Sequence, residues 1–223
     1  MFEAQGIGKR FGIRWVLRGV TFTVNRGEAV GLLGANGSGK STVLRVLGTL
    51  LRPNAGTATI DGLDITRDSS AVRGKIGYLA HAPGLYEDLT ARENLEFAGE
   101  MLGSRALVQS SLERVGLGPM ASSRVRGFSA GMQRRLALAR LMMRSPRVLL
   151  LDEPYSNLDE EGIALMSSVI HDVTEAGGSA LLALHELAPA RGILSRTITL
   201  SDGRIETANS DLPVRDDAVL ASF

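Results

Sequence analysis

Residues 34–41 read GANGSGKS, and this short run constrains the chain more than any other. It fits GxxxxGK[ST] at every fixed position, the pattern of a loop that cradles phosphate. The apolar run AVGLL precedes it and STVLRVLGTL, with helical spacing, follows it. The loop therefore joins a buried strand to a helix. Gly34, Gly37 and Gly39 let the backbone turn tightly and aim its amide N–H groups inward. The positive end of the following helix adds to the same anion site. Ala35, Asn36, Ser38 and Thr42, within or directly behind the loop, are counted with the cradle. Lys40 is placed to reach the β- and γ-phosphates of a nucleoside triphosphate, and the Ser41 hydroxyl to ligate Mg²⁺.

A second run, RVLLLDEP at 147–154, is an apolar strand that ends in two adjacent acids. On its own such a pair reads as a solvated turn. Downstream of a phosphate loop the reading reverses, because parallel sheets bind ligands at the carboxyl ends of their strands. Strand alternation sends neighbouring side chains in different directions. That suits two tasks: Asp152 supports Mg²⁺ and Glu153 acts as the base that polarises an attacking water.

Short β-like runs recur at 21–24, 28–33, 57–60, 76–80, 147–151, 179–184 and 197–200, with helical patterns between them, which predicts an α/β architecture. VLLL and ALLAL are apolar at every residue, as central parallel strands covered on both faces should be. Asp61-Gly62 and Asp202-Gly203 are turn signals between β runs. Residues 84–146 carry three consecutive helical patterns and read as a helical subdomain inserted into a core of about 1–83 and 147–206. Residues 207–223 lack periodicity and read as a tail. Gly6, Gly8 and Gly12 mimic a dinucleotide fingerprint, but with no strand before and no helix after they read as turn chemistry.

Composition narrows the partners. The 223 residues, 44% hydrophobic, support a single domain of this kind. The net charge of +1 gives no reason to expect nucleic acid, and the absence of cysteine excludes disulfides and thiolate chemistry. The two greasiest stretches are broken by Arg140, Arg144 and Pro146, and by His185 and Glu186. Neither supplies the roughly 20 apolar residues of a spanning helix. Work at a membrane would need another chain to do the spanning.

The order of further motifs resembles the ATP-binding subunits of ABC transporters. Phe128-Ser129-Ala130-Gly131-Met132 stands at the place of the LSGGQ signature, and QRRLALAR continues as the signature helix does. Ser156-Asn157-Leu158-Asp159 is similar to the family's D-loop, and Ala183-Leu184-His185 to its switch histidine. The resemblance runs from about residue 2 to 206 and implies a RecA-like P-loop core with an antiparallel β portion and the helical insert. It implies ATP and Mg²⁺ as cofactors. Ser129, Ala130 and Gly131 would bind the γ-phosphate held by a twin molecule, so ATP binding would close a head-to-tail homodimer. Asp159 would belong to that composite nucleotide site, and His185 would join Glu153 in catalysis. Phe11, or Trp15 in its stead, would stack on adenine. The partner implied is an integral membrane permease, with this chain peripheral on the cytoplasmic face of the cell membrane. His81 stands where the family usually has a glutamine that contacts Mg²⁺ and faces the membrane partner, and the resemblance implies that His81 joins Ser41 and Asp152 as a metal ligand. That histidine, with HAPGLYEDLTARENLEFAG and LDEPYSNLDEEG, resembles the cytochrome c maturation, or haem export, subgroup. Other small bacterial exporters share parts of the pattern. ABC ATPases acting on nucleic acid or ribosomes usually carry coiled-coil insertions or two cassettes, and this chain has neither.

Overall fold

The computed structural model describes residues 1–209. Two sheets share the chain. Strands β1 (Phe2–Phe11), β2 (Arg14–Val24), β4 (Ala55–Ile60) and β5 (Leu63–Asp64) form an antiparallel sheet in the order β2-β1-β4-β5. Strands β3 (Ala29–Leu33), β6 (Ile76–Leu79), β7 (Val148–Asp152), β8 (Ser179–Ala183), β9 (Arg196–Ser201) and β10 (Arg204–Asn209) form the other, in the order β10-β9-β3-β8-β7-β6. All its neighbours run parallel except the β9–β10 hairpin.

The parity of β7 explains how its two faces are used. Val148 and Leu150 enter one core with Val43 and Leu44 of helix α1 (Lys40–Leu47) and with the antiparallel sheet. Leu149 and Leu151 enter a second core with Leu138 of helix α5 (Ala130–Met142) and Met166 of helix α6 (Glu160–Glu175). Both faces are covered, so every residue of VLLLD is buried. Asp152 continues the parity of Leu150 and so falls on the side of α1.

Helix α2 (Ser69–Lys75) leads into β6, and helices α3 (Ala91–Leu102), α4 (Val108–Arg114) and α5 share a third core around Leu95, Leu112 and Leu136. The start of α3 is fixed by a capping box: the Thr90 hydroxyl accepts from the Glu93 amide while the Glu93 carboxylate accepts from the Thr90 amide. Helix α5 has Leu136 and Ala139, with Met143 just past its end, in this third core and Ala137, Leu138 and Leu141 in the second. It is a wedge between the helices and the parallel sheet.

Two of the three amino-terminal glycines depart from expectation, while Gly12 sits in a turn as expected. Gly6 and Gly8 lie inside the ten-residue strand β1, and Gly12 forms the hairpin to β2. The register shifts between Ala4 and Ile7, where Gly6 has φ 63°. This bulge inserts an extra residue and breaks the period-two pattern by which a strand is recognised. The two Asp-Gly turns do close hairpins. Asp61 and Gly62 have φ 50° and 78°, Asp202 and Gly203 φ 46° and 75°, the doubly positive pattern of a type I′ turn. Residues 207–209 of the expected tail belong to β10, and 210–223 lie outside the described residues.

Candidate nucleotide site

Four adjacent parallel strands, β3, β8, β7 and β6, end on one edge of the sheet. The glycine-rich loop leaves β3, and His185 lies two residues beyond β8. Asp152 ends β7 with Glu153 next, and His81 lies two residues beyond β6. Positions from 34 to 185 in sequence thus meet on one side of the molecule.

The loop is tightly built. Gly34 has φ 148°, and a Cβ there would stand 2.2 Å from the Leu200 carbonyl oxygen and 2.7 Å from Ser38 Oγ. Gly39 has φ 112°, and a Cβ there would meet Leu17 Cδ2 at 2.8 Å. The Lys40 ammonium lies back over the loop and donates to the carbonyls of Gly34 at 2.6 Å and Ala35 at 3.2 Å. Ala35, Asn36 and Gly37 are exposed, so the concave side of the loop faces outward. Thr42 follows in the first turn of α1. Behind the loop, Ser41 Oγ donates to Asp152 Oδ1 at 3.1 Å, joining α1 to the end of β7. This is the contact that the parity of β7 calls for.

Glu153 turns out of the strand with φ 50°, a left-handed conformation uncommon for any residue but glycine and asparagine. Its Oε2 lies 3.2 Å from His81 Nδ1 and accepts from Ser156 Oγ at 3.3 Å. His185 is exposed, and its Nε2–H donates to Asn36 Oδ1 of the loop at 2.5 Å. Both histidines are therefore tied to groups of the site.

The signature stretch forms the start of α5. Ser129 is the N-cap of that helix and accepts from the Met132 amide at 3.2 Å. Ser129 and Ala130 are exposed. Gly131 packs so close to the chain after β7 that a Cβ would stand 2.7 Å from the Asn157 carbonyl oxygen. Asp159 caps α6 by accepting from the Gly162 amide at 2.9 Å and from Arg135 at 2.5 Å. The Arg135 guanidinium, then the Gly162 amide, hold the Asp159 carboxyl below its ordinary range.

Phe11 is 50% exposed at the β1–β2 hairpin, where Lys9 Nζ lies 5.4 Å from its ring centroid, and Trp15 on the facing strand is 41% exposed. Neither ring is core packing. The hairpin leads into Val16 and Leu17, the residues against Gly39, and the Trp15 ring lies over Gly8 of β1.

Arg134 was not among the residues singled out in the sequence. It is buried, and its guanidinium donates to the carbonyls of Ala80, His81, Asp152, Glu153 and Pro154. Burial pulls its pKa down, while the charges of Asp152 and Glu153 oppose the shift. One sequence signal was present: Arg134 shares the spacing of Leu138 and Leu141, both buried, on one helix face.

A glycine cradle that a Cβ would fill, with a lysine and a hydroxyl–carboxylate pair behind it, fits a polyphosphate. Among the described residues no cluster of three or more His, Cys, Asp or Glu side chains could hold a metal ion. Mg²⁺ suits such a site, since it is usually held by one or two carboxylates plus substrate phosphates. Ser41 and Asp152 would hold it. Parallel strands that deliver a phosphate loop and then two acids to one sheet edge define a P-loop nucleoside triphosphatase.

Similarity to known proteins narrows that class. Residues 17–156 match the family model described as ABC transporter, and the chain belongs to that family. It is 40% identical over 206 residues to the daunorubicin resistance ATP-binding protein DrrA3 of Streptomyces coeruleorubidus, a match over 90% of this chain and 65% of that protein. It is 43% identical over 182 residues to the cytochrome c biogenesis ATP-binding export protein CcmA of Xanthomonas campestris, over 80% of this chain and 84% of that one. Among solved structures, a dimeric ATP-binding cassette in a post-hydrolysis state with ADP and Pi superposes with a TM-score of 0.81 at 28% identity, covering 94% of this chain and 98% of that chain.

Proposed function

We propose that this chain is the ATP-binding and ATP-hydrolysing subunit of an ABC transporter, coupling hydrolysis to a separate integral membrane permease at the cytoplasmic face of the membrane. The observation that carries the reading is the convergence of the loop at 34–41, Asp152, Glu153, His185 and His81 on one edge of four adjacent parallel strands. Among the described residues no helix is long and apolar enough to cross a membrane.

The reaction is phosphoryl transfer to water, driven by positioning and charge neutralisation. The amides of residues 34–42 and the Lys40 ammonium hold the triphosphate. Lys40 exchanges its loop carbonyls for phosphate oxygens. Phe11 or Trp15 supplies a face for the adenine ring. Ser41 and Asp152, with His81, would hold Mg²⁺, which would supply charge neutralisation for the transferring phosphoryl group. Glu153 takes the proton of the attacking water, and His185 steadies the γ-phosphate and that water. His81 lies against Glu153 at the start of the proposed helical subdomain of 84–146. There it links the base to the region that faces the permease. Ser129, Ala130 and Gly131 of a twin molecule cover the far side of the nucleotide in a head-to-tail homodimer, with Asp159 at the seam.

Calorimetry and a phosphate-release assay test this. Well-folded protein should take up ATP only with magnesium and should turn it over. Folded material with no magnesium-dependent nucleotide uptake overturns the proposal.

The subgroup we assign is cytochrome c biogenesis, of the haem export type. Its support is His81 in the glutamine position and the likeness to the Xanthomonas campestris protein. The chain has three histidines and no cysteine, so haem contact falls to partner chains. A second reading, a drug exporter, has the longer match to the daunorubicin resistance protein in its favour. Identifying the membrane chain that co-purifies separates the two.

A further inference from the structure

The buried Arg134 guanidinium donates to no carboxylate. Its hydrogen bonds are all to backbone carbonyls, drawn from two separate stretches of chain. Nη1 donates to Ala80 at 2.6 Å and His81 at 3.2 Å, beyond β6. Nη2 donates to Asp152 at 2.6 Å and Glu153 at 2.5 Å, and Nε to Pro154 at 3.4 Å, at and just past the end of β7. A desolvated cation is costly unless its donors are met. Here the donors are met while the Asp152 and Glu153 carboxylates stay available for chemistry. The planar fork of arginine suits this: it presents five donors in fixed directions, where lysine offers three from a point and glutamine two. One turn earlier in the same helix, Gly131 abuts the Asn157 carbonyl. The first turns of α5 and the stretch 152–157 are thus locked to each other at two places.

We infer that Arg134 is a positioning residue that fixes the backbone at Glu153, and the chain at His81, to helix α5. The base of one subunit's own site then moves with the signature end that serves its twin. The inference rests on the ATPase reading above. Movement of Ser129 toward the twin's nucleotide carries α5, and through Arg134 it carries Glu153 and the stretch beyond β6. Two sites in a dimer are linked without a residue that touches both.

The test uses the full chain with Arg134→Lys and Arg134→Gln. Magnesium-ATP affinity is measured by calorimetry, turnover and its dependence on ATP concentration at steady state, and folding by thermal melts. The P-loop is intact in both variants, so Kd should stay within about twofold. A base displaced by a fraction of an ångström to about 1 Å should lower kcat by ~10–100-fold in the glutamine variant and less in the lysine variant. Any sigmoid dependence on ATP should flatten. Folded variants with wild-type kcat overturn the inference. So does a kcat that falls only in step with affinity or with the folded fraction, which marks a merely structural role. If the glutamine variant does not fold, the lysine variant decides by the same split of kcat from Kd. A wild type that neither binds nor hydrolyses ATP defeats the ATPase reading and this inference together. A wild type that turns over beside indifferent variants defeats the inference alone.

Discussion

The glycine loop and the signature stretch are both helix beginnings, and they differ in how far one chain completes them. At the loop, Lys40 has its carbonyls, Ser41 has Asp152, and Asn36 has His185. At the signature stretch, Ser129 stands exposed with the cap contact to its own helix. Helix N-termini attract anions through free amides and the helix dipole. The loop adds a lysine and a hydroxyl–carboxylate pair to that tendency; the signature end adds a single hydroxyl. On the function proposed above, the loop is the half-site that binds by itself, and the signature end the half-site that responds to what the loop holds.

Substitutions can break that division of labour. The largest effect belongs to Lys40→Ala, which should weaken ATP binding in calorimetry and cut turnover by ~10³-fold or more. Glu153→Gln comes next: binding is kept, turnover falls by ~10²–10⁴-fold, and an ATP-bound dimer should accumulate on size exclusion. Unchanged turnover there removes Glu153 as the base. Ser129→Ala sharpens the comparison, because the loop is untouched. Affinity in the monomer should hold while dimer formation and turnover drop about tenfold, the worth of one hydrogen bond to a charged group. If monomer affinity falls too, the two half-sites are not separable. The smallest effect lies at Asp159. Its folded pKa is depressed, so its contribution is present above the unfolded carboxylate value of about 4 and is lost as pH falls through the lower folded value. Asp159→Asn keeps a cap but drops the Arg135 pairing. Its melting temperature should fall below wild type near neutral pH and converge with it below about pH 4.

Much of this arrangement was legible in the sequence because its parts are local. The loop at 34–41 announces itself by glycine spacing and flanks, and the acids by an apolar run that stops at charge. The Asp-Gly turns announce themselves by their own backbone needs. The strand β1 was hidden because the bulge at Gly6 shifts its alternation by one residue. The His81–Glu153 contact and the Arg134 hydrogen bonds were hidden for another reason. They join positions 72 and 54 residues apart, and nothing local in either partner encodes the distance. Arg134 also stands beside Arg135, which pairs with Asp159 nearer the surface, so the dipeptide reads as a basic face. Family resemblance supplied the roles of Ser129 and His185. It did not supply the role of Arg134.

The left-handed corner at Glu153 has an evolutionary corollary. A non-glycine residue held there typically costs of the order of 1 kcal/mol, which selection tolerates only while the side chain is needed. In a lineage that stopped hydrolysing ATP, this position should be among the first to drift to glycine or asparagine, with the loop at 34–41 still intact. If Glu153 is the base proposed above, a glutamate kept on that corner marks a site still in use.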